Sequence, residues 1–216
     1  MVETKQYRQD LPVIPKRLLP LPVERGYPVP WFVAQVDGHY DFRCIDYRKM
    51  EPAIKKKLCW ICGQKLGAYL AFGIGPMCCI NRTIAEPPSH KECMRWAMTV
   101  CPFLIQRQEE RRETHLPEGI KEAAGLGNKR QPGVIVLWIT TAYQPFKAPG
   151  GILFKIGEPL EVQWFRQGRL ASRAECLESI DSGYPFLLEL AQKDGAEGVQ
   201  QLEKRKIEAM KLLPNA

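Results

Sequence analysis

The chain has 216 residues, eight cysteines and a formal charge of +7, with 45% hydrophobic and 25% charged residues. This is the composition of a folded globular protein with a substantial core, and it excludes wholesale disorder. No run approaches the roughly 18 apolar residues of a membrane span, and the first residues carry no apolar signal segment, so a cytoplasmic protein without membrane contact is expected. Thiols stay reduced in that compartment, which leaves eight cysteines to be explained by something other than disulfides.

Residues 1–30 hold six prolines (Pro12, Pro15, Pro20, Pro22, Pro28, Pro30). Proline removes a donor and pushes the residue before it out of the helical region, so an extended arm is expected. In residues 31–57, Trp31–Val36 and His39–Ile45 flank Asp37-Gly38, a hairpin signal. Residues 58–103 form a cysteine-rich block, and residues 104–132 a charged helix and linker. Residues 133–216 should give strands followed by helices. Val134–Tyr143 is apolar on both faces, as a central strand is, and Ile152–Ile156 and Leu160–Phe165 follow across Gly157-Glu158-Pro159. Ser172-Arg-Ala-Glu175 is a capping box that starts a helix. A further helix should start near Pro185, and a last one should run from about Ala196 to Leu213, with Val199, Leu202, Ala209, Met210 and Leu213 on its core side.

The cysteine block carries the chemistry. Cys59-Trp-Ile-Cys62 is followed by a glycine that lets the turn close, and His90-Lys-Glu-Cys93 repeats the spacing 27 residues later. Zinc takes four thiolate or imidazole ligands in a tetrahedron, and C-x-x-C sets two of them on one tight turn. Ser89 is a natural N-cap, which would place His90 and Cys93 in the first turn of a helix. The intervening residues are expected to form a hairpin through Lys65–Ile74. Cys59, Cys62, His90 and Cys93 are therefore the first-choice ligands of a structural Zn2+. Cys78 and Cys79 are alternates that could displace His90. Thiolates at Cys59, Cys62, Cys78 and Cys93 would also suit an iron–sulfur cluster, but the histidine at a ligand position and the separation of the pairs favour zinc. Cys44, Cys101 and Cys176 lie in apolar contexts and read as buried thiols.

A knuckle, a hairpin and a ligand-bearing helix start resemble a treble-clef zinc finger. Within the same residues, CWICGQKLG, FGIGPMCC, INRTIAEPPSHKEC and CPFL resemble a family of uncharacterised small proteins of actinobacteria and their phages, continuing weakly through GRLASRAECLESIDSGYPFL. That resemblance implies a shared metal fold and no particular activity.

Together these features predict an α+β protein in which a treble-clef-like zinc module packs with a small, mostly antiparallel sheet and C-terminal helices. Catalysis finds little support. Only His39, His90 and His115 are present, phosphate-loop and nucleophile-elbow motifs are missing, and a zinc with four protein ligands leaves no position for water. The preferred reading is a zinc-stabilised binding protein. Its partner is nucleic acid or another protein, for instance a host factor if the chain is phage-borne, met through Lys55, Lys56, Lys57, Trp60, Lys65 and Arg82. The alternative is an enzyme with a polar pocket between the zinc module and the C-terminal half, near Asn81, Arg82 and Glu86.

Overall fold

The computed structural model describes residues 5–105 and 133–215. The charged helix expected after Gln106, with His115, lies outside the described residues. The described chain is a mixed α/β protein with small antiparallel sheets and C-terminal helices.

In chain order, β1 (Val23–Glu24) and β2 (Tyr27–Pro28) form a short ribbon, and β3 (Val33–Val36) and β4 (His39–Ile45) form the hairpin expected around Asp37-Gly38. Helix α1 (Met50–Lys56) leads into the cysteine block. There follow β5 (Leu70–Ile74), α2 (Pro76–Asn81), β6 (Thr83–Ile84), α3 (Lys91–Val100) and α4 (Pro102–Ile105). Beyond residue 132 come β7 (Ile135–Thr140), β8 (Tyr143–Ala148), β9 (Gly151–Ile156), β10 (Glu161–Arg166) and β11 (Arg169–Leu170), then α5 (Arg173–Lys193) and α6 (Gly195–Met210).

The central sheet has the order β11-β10-β7-β5, antiparallel throughout. Strand β7 is buried at all six positions because both of its faces are covered. Val136 and Trp138 point with Phe72, Ile74 and Trp164 into a core closed by α2, α5 and α6. Ile135, Leu137 and Ile139 point the other way, into a core shared with Cys59, Cys62, Cys93, Met94 and Met98. The continuous apolar run read from Val134 onward thus serves two cores at once. Leu18 and Leu21 of the proline-rich segment are buried in the second core.

Two local expectations give way to tertiary structure. No hairpin forms through Lys65–Ile74. Instead Leu70–Ile74 pairs over its whole length with Thr140–Val136, since only there are Phe72 and Ile74 removed from water. Strand β5 is thereby a member of the main sheet that lies, in sequence, between the two ligand pairs. Pro185 does not begin a helix but sits within the 21-residue α5. It forgoes the hydrogen bond from its own nitrogen, while Ile180, Gly183 and Leu187 around it are buried against the core. The strands Ile152–Ile156 and Leu160–Phe165 also part company. β9 joins β8 and β6 in a second, three-stranded sheet, whereas β10 stays with β7.

The start of α5 follows local rules. Ser172 Oγ accepts from the Glu175 amide at 3.3 Å, and the Glu175 carboxylate accepts from the Ser172 amide at 2.9 Å, completing the capping box. Hydrogen bonds from Arg169, with the Ser172 amide, hold the Glu175 carboxyl down to about 2. Ser172→Ala should cost about 1 kcal/mol in denaturant unfolding. The contribution of Glu175 should be complete above the ordinary carboxyl value of 4.5 and be lost as pH falls toward about 2, and Glu175→Gln should flatten the acid limb of the stability–pH curve there.

Candidate metal centre

The segment from Leu58 to Leu66 folds into a knuckle. Leu58 and Lys65 form an isolated antiparallel bridge, the Cys59 amide donates to the Gln64 carbonyl at 2.8 Å, and the Gly63 amide donates to the Cys59 carbonyl at 2.8 Å. Gly63 takes φ +72°, a conformation that suits glycine, and a Cβ there would lie 2.9 Å from the Trp31 ring. The second ligand pair is brought up by β5. The Ala71 amide donates to the Ser89 carbonyl, and the Ser89 amide donates to the Ala71 carbonyl, both at 2.8 Å. The Trp60 amide donates to the Pro88 carbonyl at 3.1 Å, tying the knuckle to the same segment.

Ser89 is not the N-cap of α3. It is fully buried, with its backbone engaged by β5 and its hydroxyl unpartnered, and His90 occupies the cap position with extended backbone (φ −68°, ψ 146°). Cys93 then falls in the first turn of α3, on the side that faces the knuckle.

The ligand atoms of Cys59, Cys62, His90 and Cys93 all lie within 4.8 Å of one another, a Cys3His cluster that could hold a metal ion. Nδ1 of His90 is 3.3 Å from Cys62 Sγ and 3.9 Å from Cys93 Sγ. A tetrahedral ion with sulfur at about 2.3 Å and nitrogen at about 2.0 Å requires ligand separations of about 3.5–3.8 Å, and the two separations from His90 Nδ1 bracket that nitrogen–sulfur value. Nε2 of His90 lies 3.0 Å from the Lys65 carbonyl oxygen. A carbonyl only accepts, so Nε2 carries a proton, which leaves Nδ1 as the nitrogen that would give its lone pair to a metal ion, with the carbonyl as the usual outer support of a ligating imidazole.

Charge is managed by the backbone. Cys59 Sγ accepts from the Cys62 amide at 3.4 Å and from the His90 amide at 3.3 Å, the latter at the start of α3 where amides lack helical partners. Burial opposes ionisation of Cys59, but hydrogen bonds from Cys62, Cys93 and His90 outweigh it and hold its thiol well below the usual range. The same contacts, led by Cys59, push His90 up to about 10 and push Cys93 far up. One thiolate forms readily here, and three side by side require a cation among them.

The alternates are elsewhere. Cys78 and Cys79 lie on α2 in the helix-side core, and burial pushes their thiols up to about 11 and about 12. Neither belongs to the four-residue cluster. Cys44 and Cys176 are buried thiols, and Cys101 is partly buried.

The expected contact residues scatter. Trp60 is not at an exposed tip: it is completely buried, stacked on Phe32 at 5.3 Å between ring centroids and edge-on to Trp31 at 6.2 Å. Trp31 and Phe32, in the segment that leads into β3, cover it together with Ile45, Met50 and Phe154, and the burial gained outweighs leaving the ring in water. Arg82 is likewise structural, its guanidinium 4.4 Å above the Trp138 ring and 3.4 Å from Glu158. Lys55 and Lys56 end α1, where cations suit the helix dipole, and Lys57 is its C-cap; all three are exposed, with Lys55 paired to Glu51. Lys65 is exposed beside the cluster. Of the residues considered for an enzymatic cleft, Asn81 accepts from the Thr83 amide at 2.9 Å and so closes a turn, while Glu86 is partly buried.

Residues without any motif complete the surroundings. Arg17, Tyr69, Lys91 and Arg95 line an open groove of about 650 Å³ against Lys65 and His90. Arg17 arrives from the proline-rich segment and nothing in its local sequence marks it; Tyr69 carries only the weak signal of an aromatic after Gly67-Ala68.

The chain matches no protein-family model, no curated protein and no solved structure.

Cys59→Ser should abolish stoichiometric metal retention, whereas Cys78→Ala should retain it, as measured by elemental analysis of the purified variants. Gly63→Ala should destabilise the metal-loaded fold by more than about 1 kcal/mol, through both its φ and the Trp31 ring, as read from thermal melts.

Proposed function

We propose that the Cys3His cluster holds a structural Zn2+ and that the protein is a zinc-stabilised binding protein rather than an enzyme. The observation that carries this reading is the closed four-ligand set, with His90 turned inward by the Lys65 carbonyl. Four protein ligands leave a tetrahedral ion no site for substrate or water, and the softness of three thiolates selects zinc over hard cations. The position of Cys78 in another core disfavours the four-thiolate iron–sulfur arrangement. Zinc bound here would join Cys59 and Cys62 of the knuckle to His90 and Cys93 at the start of α3. The sequence knuckle, strand, ligand-bearing helix start supports a treble-clef-like module, with its middle strand lent to the central sheet. The basic surface beside the knuckle is the recognition face, and it suits an anionic partner.

No described helix is long and apolar enough to cross a membrane. The two named cations with structural partners, Arg82 and Lys55, leave Lys56, Lys57 and Lys65 as the candidate contacts of the original set.

The purified protein should contain about one zinc per chain and show no visible iron–sulfur absorption. Chelation should unfold it cooperatively, with loss of near-ultraviolet dichroism from the buried Trp60 and Trp138, and zinc should restore it. Full retention of fold and melting temperature after chelation would refute a structural role for the ion.

A further inference from the structure

Next to the cluster, the loop Leu66-Gly67-Ala68-Tyr69 crosses from the knuckle to β5 and forms one wall of the open groove. Its middle carries almost no side chain, and a Cβ added to Gly67 would meet nothing within 4 Å, so a ligand can approach the backbone there. Tyr69 stands at the end of this loop with 63% of its surface exposed. An aromatic ring left in water forgoes the burial that such rings normally find.

Cations line the same groove as that ring. Lys65 lines it with no carboxylate partner among the described residues. In the same groove, Arg17 is held by Glu92 at 2.7 Å and by Gln64 at 2.9 Å. Lys91 and Arg95 share one carboxylate, that of Glu161, and Arg95 also donates to Gln163 at 2.9 Å. These pairs fix the positions of three side chains that remain 42–45% exposed. Four cations thus meet two carboxylates, Glu92 and Glu161, and the surplus is positive.

We infer that this groove binds single-stranded nucleic acid, with Tyr69 as the platform for a base and Lys65, Arg17, Lys91 and Arg95 along the phosphates. The inference rests on the reading of the cysteine block as a zinc-stabilised binding module, and it names the partner of that module. Single-stranded chains are held by this combination of a positively charged groove and an exposed aromatic face. A duplex keeps its bases stacked on one another and offers Tyr69 no free face. An acidic peptide would satisfy the cations and leave the ring unused.

The test uses the full-length, zinc-loaded protein and an oligothymidylate of about 16 nucleotides, labelled for fluorescence anisotropy in about 50 mM salt. Saturable binding is expected, weakening as salt rises. Tyr69→Ala should weaken it about tenfold and Tyr69→Phe should preserve it. Lys65→Ala should lower the slope of log affinity against log salt by about 0.7. A duplex of the same length should compete poorly. Equal binding by wild type and Tyr69→Ala, equal competition by the duplex, or no binding would each overturn the inference. Equal competition by polyglutamate would overturn it in favour of an acidic protein partner. Zinc content and melting curves recorded on the same samples separate the two readings. Zinc-loaded, folded protein that ignores the oligonucleotide refutes the groove alone, and tight Tyr69-dependent binding without zinc refutes the metal alone.

Discussion

The structure turns on strand β5. One edge of Leu70–Ile74 is hydrogen-bonded to β7 in the central sheet, and the other clasps Ser89, the residue immediately before the ligand His90. Knuckle, sheet and ligand-bearing helix are therefore one mechanical unit. The faces of the strand divide in the same way. Leu70, Phe72 and Ile74 enter the helix-side core, and Ala71 and Gly73 face the metal side, where a Cβ on Gly73 would stand 2.6 Å from Met94 Sδ. Small residues on that face let α3 approach closely enough for Cys93 to reach Cys59 and Cys62.

A metal ion bound here would act inside a core, balancing the thiolates that the core buries. Small zinc modules without a hydrophobic interior depend on the ion for almost all of their stability. In this protein Cys59, Cys62 and Cys93 are packed among Leu18, Ile61, Met98 and Leu137, so the thiolates sit in a low-dielectric setting. Three charges there need compensation, and two backbone amides on Cys59 supply only part of it. A cation held there would sit at the boundary between the second core and the groove.

The same boundary concentrates the available charge on one side. Arg17 comes from the proline-rich segment, Lys65 from the knuckle, and Lys91 and Arg95 from α3, yet they share a single groove. Elsewhere, cations are absorbed into structure: Arg82 lies on Trp138, Lys49 donates to the carbonyls of Trp31 and Val33, and Arg48 and Lys49 surround the buried Asp46. Net charge alone does not distinguish these roles; partner geometry does.

The cluster itself was legible in the sequence, since Cys59, Cys62, His90 and Cys93 are set by ligand spacing, and so were the capping box at Ser172 and the two-faced apolar run of β7, because local hydrogen bonding and periodicity dictate them. The rest depended on which surfaces meet. Trp60 has the local appearance of a knuckle tip, and only its packing against Trp31, Phe32, Met50 and Phe154 removes it from water. Lys65–Ile74 could pair with its neighbours, but the apolar face of β7 offers more burial than a local hairpin would. Pro185 is a helix starter by its own chemistry and a helix interior by the packing on either side of it. Short-range rules thus determined the residues of the Cys3His cluster and several elements, while long-range burial decided how the strands are shared, which cations stay free, and that Tyr69 faces open solvent beside them.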